Sequence, residues 1–128
     1  MVNDPAAYLE TIKLRLIASP IIAEYQILRE RITHTDGYLR LRATLINGDF
    51  LEMVEAFERG ASEIVVVDYR HQWMDAAQAR LRRRWDGAPH HPELTQFPHH
   101  VHVEREDNVV PGDPMSIMAV LDALERLT

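Results

Sequence analysis

The sequence has 128 residues, of which 46% are apolar and 27% are charged, values typical of a folded globular protein. This length predicts one domain spanning residues 1–128. The absence of cysteine excludes a disulfide scaffold, a thiolate nucleophile and any metal site built on sulfur. No apolar run approaches the roughly 18 residues of a membrane span, and the first residues lack the layout of a secretion signal. We therefore expect a soluble cytoplasmic protein.

Charge is distributed unevenly along the chain. The formal net charge is −6, yet four arginines fall between residues 80 and 84, and six of the seven histidines fall between residues 71 and 102. The segment that follows residue 103 is acidic. The overall charge argues against a protein that coats nucleic acid, but a local basic surface on an acidic body is expected.

The first element in chain order is a predicted helix. Asp4 followed by Pro5 is typical of an N-cap and a first helical position, and apolar residues repeat at helical spacing until Ser19-Pro20. The next segment, 21–32, fits either a helical stripe or one face of a strand. We favour a strand, because Thr35-Asp36-Gly37 then forms a short turn into the strand that follows.

A β-hairpin is the clearest element of the sequence. Apolar and polar residues alternate from Tyr38 to Leu45, and Asn47-Gly48 is typical of a two-residue type I′ turn. A two-residue loop fixes the register of the two strands. It predicts four cross-strand pairs: Leu45 with Phe50, Leu41 with Val54, Arg40 with Glu55, and Tyr38 with Phe57.

The second half of the chain predicts strands at 63–73, 78–85 and 100–104. The first two of these form a hairpin near Asp75-Ala76, although residues 75–80 also fit one helical turn. Three prolines between residues 86 and 98 predict an ordered, irregular loop. Asp113 and Pro114 predict the cap and first position of a final helix. Together these elements predict an α+β fold: an antiparallel β-meander of about five strands with an N-terminal and a C-terminal helix.

The segment from Tyr69 to His102 is rich in the groups that cleave an RNA phosphodiester without a metal. Histidine can take the proton of a ribose 2′-hydroxyl and return one to the leaving oxygen, because its pKa lies near neutral pH. Arginine can neutralise charge on phosphorus, and tryptophan can stack on unpaired bases. The candidate catalytic residues are His91 and His99 as the acid–base pair, with Arg83, His90 and His100. The candidate RNA-binding residues are Arg82, Arg84 and Trp85.

Each of these groups also has a structural interpretation. Strand alternation places Arg83 on the same face as Trp85, where Asp86 could be its partner and where the indole could belong to the core. One imidazole of each adjacent histidine pair could simply hold the proline-rich loop. A zinc or nickel site made from these histidines and Glu93 is chemically reasonable, but adjacent histidines seldom point to the same ion. We therefore expect no metal and no other cofactor.

Four blocks of the sequence resemble the TumE toxin family. They read YLRLRATLINGDFLE (38–52), RRWDGAPHHPE (83–93), FPHHVH (97–102) and PMS (114–116). The resemblance extends from about Pro20 to the C-terminus. Two positions depart from the family pattern: Gly87 stands where members usually carry asparagine, and Gln72 separates His71 from Trp73.

The resemblance implies a small toxin of a bacterial toxin–antitoxin pair, with a helix-turn-helix antitoxin as partner. Action on RNA is an expectation by analogy with other small toxins. The alternative is a non-enzymatic toxin or binding protein that uses the same histidine- and arginine-rich block as an interaction surface. The 64–67 run, an unpaired sheet edge or the acidic final helix could contact the antitoxin. A homo-oligomer is compatible with the sequence, and no membrane partner is expected.

Overall fold

The computed structural model describes residues 3–127 and consists of one antiparallel sheet with a helix near each end of the chain. The helices are α1 (Pro5–Ala18) and α2 (Ile117–Leu127). The strands are β1 (Ile22–Ile32), β2 (Asp36–Leu45), β3 (Phe50–Arg59), β4 (Ile64–Met74), β5 (Leu81–Asp86), β6 (His100–Val103) and β7 (Val109–Pro111). Their order in the sheet is their order in the sequence. The predicted α+β meander is confirmed, with seven strands rather than about five.

The N-terminal elements agree with the sequence prediction. The Asp4 carboxylate accepts a hydrogen bond from the backbone N–H of Ala7 at 3.1 Å, and Pro5 is the first residue of α1. The ambiguous segment that follows is strand β1. Within residues 3–127, neither helix has the length and apolar character that crossing a membrane requires.

The predicted register of the β2–β3 hairpin is wrong by one residue. The N–H of Leu45 donates to the carbonyl of Asp49 at 2.9 Å, and the N–H of Gly48 donates to the carbonyl of Leu45 at 2.8 Å. Gly48 has φ +92°, so the loop has three residues and ends in a left-handed bulge residue instead of being a two-residue type I′ turn. The observed pairs are Thr44 with Phe50, Leu41 with Met53, Arg40 with Val54, and Tyr38 with Ala56.

The register change moves Glu55 away from its predicted partner, Arg40. Arg40 and Arg42 instead contact Glu52, at 3.3 and 2.8 Å. Glu55 is fully buried, accepting hydrogen bonds from the Tyr8 hydroxyl at 2.6 Å and from the backbone N–H of Ile117 at 2.7 Å. One carboxylate on β3 therefore holds both α1 and the first residue of α2.

The final helix begins later than predicted. Ser116 caps it, accepting from the N–H of Ala119 at its hydroxyl, 3.1 Å, and from the N–H of Val120 at its carbonyl, 3.0 Å. The predicted cap, Asp113, instead accepts a hydrogen bond from the side chain of Gln96 at 3.1 Å. The predicted buried stripe of this helix is confirmed: Ile117, Val120, Leu121 and Leu124.

Strands β4, β5 and β6 present different chemistry on their two faces. His71 pairs with Trp85, and both are buried on the face that the core and helices cover. We call the opposite side the open face. Because neighbouring residues of a strand point to opposite faces, Arg84 and Asp86 lie on the open face, where they pair with His102 and His100. The open face of these three strands is therefore charged and imidazole-rich.

We expect Glu55→Gln to change how stability depends on pH. Burial raises the pKa of Glu55 above its usual range, so its contribution to stability is fully present at acidic pH and is lost as the pH rises through the raised pKa. The amide oxygen can still accept from Ile117, and the amide nitrogen can donate to the Tyr8 hydroxyl. Urea unfolding from pH 4 to 8 should therefore show the variant gaining stability relative to the original protein as the pH rises.

The matched control is Glu58→Gln, because Glu58 is exposed on the same strand. Its stability profile should run parallel to that of the original protein. Parallel profiles for Glu55→Gln as well would contradict a buried, protonation-sensitive carboxyl group.

Candidate functional site

A cleft lies on the open face where β4, β5 and β6 meet the loop that follows β5. It has a volume of about 410 Å³. The residues that line it are Asp68, Tyr69, Arg70, Arg84, Asp86, Ala88, His90 and His102. Its lining thus combines cationic, acidic and imidazole side chains.

Three imidazoles gather beside this cleft. His91 belongs to the loop of residues 87–99, which we call the histidine loop, and it folds back onto His100 and His102 of β6. The ring centroid of His91 lies 4.8 Å from that of His100 and 6.0 Å from that of His102, and the two β6 rings are 5.0 Å apart. We call these three residues the histidine cluster.

Each ring of the cluster has an oxygen atom next to its Nδ1. The Nδ1 of His100 lies 2.9 Å from the carbonyl of Pro98, and that of His102 lies 2.8 Å from the carbonyl of Glu106. The Nδ1 of His91 lies 3.3 Å from a carboxylate oxygen of Glu93, in a contact that is exposed to solvent. Burial also lowers the pKa of His102, which favours its neutral form.

Arg84 and Asp86 lie under the cluster on β5. The guanidinium of Arg84 makes two hydrogen bonds to the carboxylate of Glu106, at 2.5 and 2.6 Å, and these lower the pKa of Glu106. Asp86 accepts a hydrogen bond from the N–H of Ala88 at 2.8 Å, and its other oxygen lies 3.8 Å from Nε2 of His100. Arg84 thus contributes positive charge to the cleft while its donors are largely engaged within the protein.

His99, the predicted partner of His91, lies elsewhere. Its Nδ1 is 2.9 Å from the hydroxyl of Tyr69, and the two rings stack with centroids 5.7 Å apart. Gly87 allows this arrangement, because a Cβ atom at that position would come within 2.9 Å of the Tyr69 ring. The structure therefore brings His91 next to His100, the other member of the second histidine pair.

The other predicted residues of β5 point away from the cluster. Trp85 is only 4% exposed and belongs to the core, so its ring faces are not open to a base. Arg83 shares that face, with its guanidinium carbon 5.9 Å from the Trp85 ring, and does not pair with Asp86. Arg82 is exposed, and its Nε lies 2.7 Å from a carboxylate oxygen of Asp49. These placements favour the structural interpretation of Trp85 and leave Arg82 and Arg83 outside the cleft.

Gln72 separates His71 from Trp73, unlike in the family pattern, and His71 lies away from the cleft. His71 is fully buried on the helix-covered face, with Nε2 at 2.9 Å from the carbonyl of Met115. Burial lowers the pKa of His71 to about 4, so this ring is neutral at physiological pH.

Of the cleft residues, sequence reasoning named only Arg84 and His90; those it missed include Arg70, Asp86 as an open-face residue, and His102. The sequence did contain a signal for His102. It lies two residues after His100 on a predicted strand, and residues two apart on a strand share a face. Arg70 faces the cleft because β4 pairs with β5 in the register that sets it opposite Asp86. That register follows from strand pairing rather than from any local pattern.

Comparison with protein-family models gives one finding. The model for the family described as Toxin TumE matches residues 12–127, nearly the whole chain. The chain therefore belongs to the TumE toxin family, and as a member it is the toxin of a toxin–antitoxin system, with an antitoxin as partner. Comparisons with curated proteins and with solved structures gave no match.

The ion pair between Arg84 and Glu106 should stabilise the edge of the sheet. Glu106→Ala leaves a buried guanidinium with fewer acceptors, so we expect the free energy of unfolding to fall by about 1.5–3 kcal/mol. Asp107→Ala is the control, because Asp107 pairs with Arg105 at 3.5 Å with both side chains exposed. Chemical denaturation should show a change of less than about 1 kcal/mol for that variant. Equal effects of the two substitutions would contradict the role given to the Arg84 pair.

Proposed function

We propose that this toxin cleaves RNA at phosphodiester bonds in the open-face cleft. The observation that carries the proposal is the convergence of His91, from the histidine loop, with His100 and His102 of β6 beside a cleft lined by Arg70 and Arg84. Such a site offers proton transfer and positive charge within the reach of one phosphate group.

The proposed reaction begins with removal of the proton from a ribose 2′-hydroxyl. The 2′-oxygen then forms a bond to phosphorus, and the bond from phosphorus to the 5′-oxygen breaks. A protonated group gives a proton to the leaving 5′-oxygen, so the products carry a 2′,3′-cyclic phosphate and a 5′-hydroxyl. Acid–base assistance of this type contributes about 10²–10⁴-fold to the rate.

The geometry supports His90 and His102, which line the cleft, as the imidazoles nearest this chemistry, with the ring of His91 6.0 Å from that of His102. These rings replace the predicted pair of His91 and His99, and His90 is exposed, so it is available to the leaving group. The proton acceptor is an imidazole nitrogen with a free lone pair beside the cleft, as in the metal-independent mechanism that the sequence suggests.

Arg70 is the candidate phosphate contact. It is exposed, it lines the cleft, and no ion pair is seen for it within residues 3–127. An exposed guanidinium without a carboxylate partner can form the two parallel hydrogen bonds that a phosphate accepts. Phe97 of the histidine loop is 46% exposed, so its ring, unlike that of Trp85, is open to stacking on a base.

Substitution of the cluster tests the proposal directly. His91→Ala and His102→Asn should abolish growth arrest when the toxin is expressed without its antitoxin, and should slow RNA cleavage by at least about 100-fold. Arg70→Gln should also slow cleavage. His34→Ala is the control, because His34 is exposed in the turn between β1 and β2, and it should leave both activities unchanged. Melting curves establish that the variants are folded.

The substrate distinguishes cleavage from binding. An oligoribonucleotide in which one ribose is replaced by deoxyribose should resist cleavage after that nucleotide, because the attacking 2′-oxygen is missing. Cleavage in EDTA indicates the metal-independent mechanism, and cleavage only without EDTA indicates a metal. A folded, growth-arresting toxin that cleaves no RNA would contradict the proposal and favour a binding protein that uses the same surface.

The kind of antitoxin is also a proposal. Family membership gives the antitoxin, and the resemblance noted in the sequence suggests that it carries a helix-turn-helix domain. Val65 and Val67 of β4 are about half exposed, which makes this strand a candidate contact for such a partner. If the adjacent gene does not encode a small helix-turn-helix protein that binds this toxin, this part of the proposal fails.

A further inference from the structure

The arrangement of the histidine cluster indicates more than a set of free imidazoles. One nitrogen from each of His91, His100 and His102 lies within 4.8 Å of the others. In a tetrahedral zinc site with Zn–N bonds of about 2.0–2.1 Å, the ligand nitrogens are separated by about 3.3 Å. The three rings are therefore close enough to close around one ion through small side-chain movements.

The hydrogen bonds fix which nitrogen each ring can offer. A carbonyl oxygen can only accept a hydrogen bond, so the Nδ1 atoms of His100 and His102 must carry the protons that they donate to Pro98 and Glu106. The Nδ1 of His91 can donate to the Glu93 carboxylate in the same way. In the neutral rings, the lone pairs are then on the Nε2 atoms.

This is the usual state of metal-binding histidines in proteins. Their second ring nitrogen donates to a carboxylate or a backbone carbonyl, which fixes the tautomer and the orientation of the ring. The structure contains this outer set of acceptors for all three residues.

The buried nitrogen of His100 gives an independent indication. His100 is 1% exposed, and its Nε2 has no hydrogen-bond partner in the described part of the chain. Leaving a buried polar atom unpaired costs about 1–3 kcal/mol. A carboxylate oxygen of Asp86 lies 3.8 Å from this nitrogen, which is too far for a hydrogen bond but would favour a cation beside the ring.

We propose that the Nε2 atoms of His91, His100 and His102 bind one divalent transition-metal ion of the zinc type. Imidazole nitrogens suit zinc, nickel and copper, and do not suit magnesium or calcium. Three protein ligands leave a fourth position for water, as in catalytic zinc sites. His102 also lines the cleft, which places that position near the proposed substrate. Use of the ion in cleavage rests on the proposed function, whereas metal binding does not.

The site does not match a motif of adjacent histidines or of histidines spaced along a helix, because two of its ligands lie on strand β6. His100 and His102 are two residues apart on β6 and therefore share a face, and His91 contributes the third ring from the histidine loop. Each of the two adjacent histidine pairs supplies one ligand, while the other member, His99 or His90, contacts Tyr69 or lines the cleft.

Metal binding can be measured without RNA. The full chain, without a histidine tag, is stripped with EDTA, dialysed and titrated with zinc alone by calorimetry. We expect one zinc per chain, and we expect the cobalt-substituted protein to show the visible absorption of a four-coordinate ion. Failure of the stripped, folded protein to bind stoichiometric zinc would overturn the proposal.

Two variants test the ligands. His91→Ala removes a partly exposed loop ligand. His102→Asn removes a buried one but keeps an amide that can donate to the Glu106 carbonyl. Each should weaken zinc binding by at least about 100-fold, more than the loss of an outer partner typically causes. His34→Ala should bind zinc as the original protein does, and unchanged binding by both cluster variants would refute the assignment.

The two proposals can fail separately. Stoichiometric zinc binding that depends on His91 and His102 supports the site even if no RNA is cleaved. RNA cleavage without zinc binding supports the proposed function and overturns the metal site.

Discussion

Both helices cover the same face of the sheet, and this one-sided packing determines the surroundings of every strand residue. The buried Glu55 fixes the helices there by accepting hydrogen bonds from Tyr8 and Ile117. The alternation of side chains along each strand then separates two environments. Apolar residues with a neutral His71 fill one side, and the opposite side carries charged and imidazole groups.

The histidine cluster places polar rings in a buried environment. His100 and His102 are buried imidazoles whose Nδ1 atoms are satisfied by backbone carbonyls, and one nitrogen of each lies within 4.8 Å of the other and of one in His91. The proposed RNA cleavage and the proposed metal site both need neutral imidazole nitrogens with available lone pairs, so a nitrogen that binds the ion is not free to accept a proton. For a toxin, a site of this kind on an open face also provides a surface that an antitoxin could cover.

Two predictions from the sequence, the register of the β2–β3 hairpin and the cap of the final helix, were wrong for local physical reasons. Asn47-Gly48 correctly marked a hairpin, but the same dipeptide fits a three-residue loop with Gly48 at its bulge, and one residue of difference changes every cross-strand partner. Asp113-Pro114 correctly marked the approach to the final helix, but Ser116 had the better position for capping the first N–H groups. Turn and cap signals thus located the elements without fixing their exact geometry.

Periodicity and composition are local properties of the chain, and they suffice to predict the α+β meander, the buried stripe of α2 and the histidine- and arginine-rich region. Folding is what brings His91 to His100 and His102, places His99 against Tyr69 and buries Trp85 in the core. The path of the histidine loop and the pairing of β4, β5 and β6 set those contacts, and both depend on residues far apart in sequence.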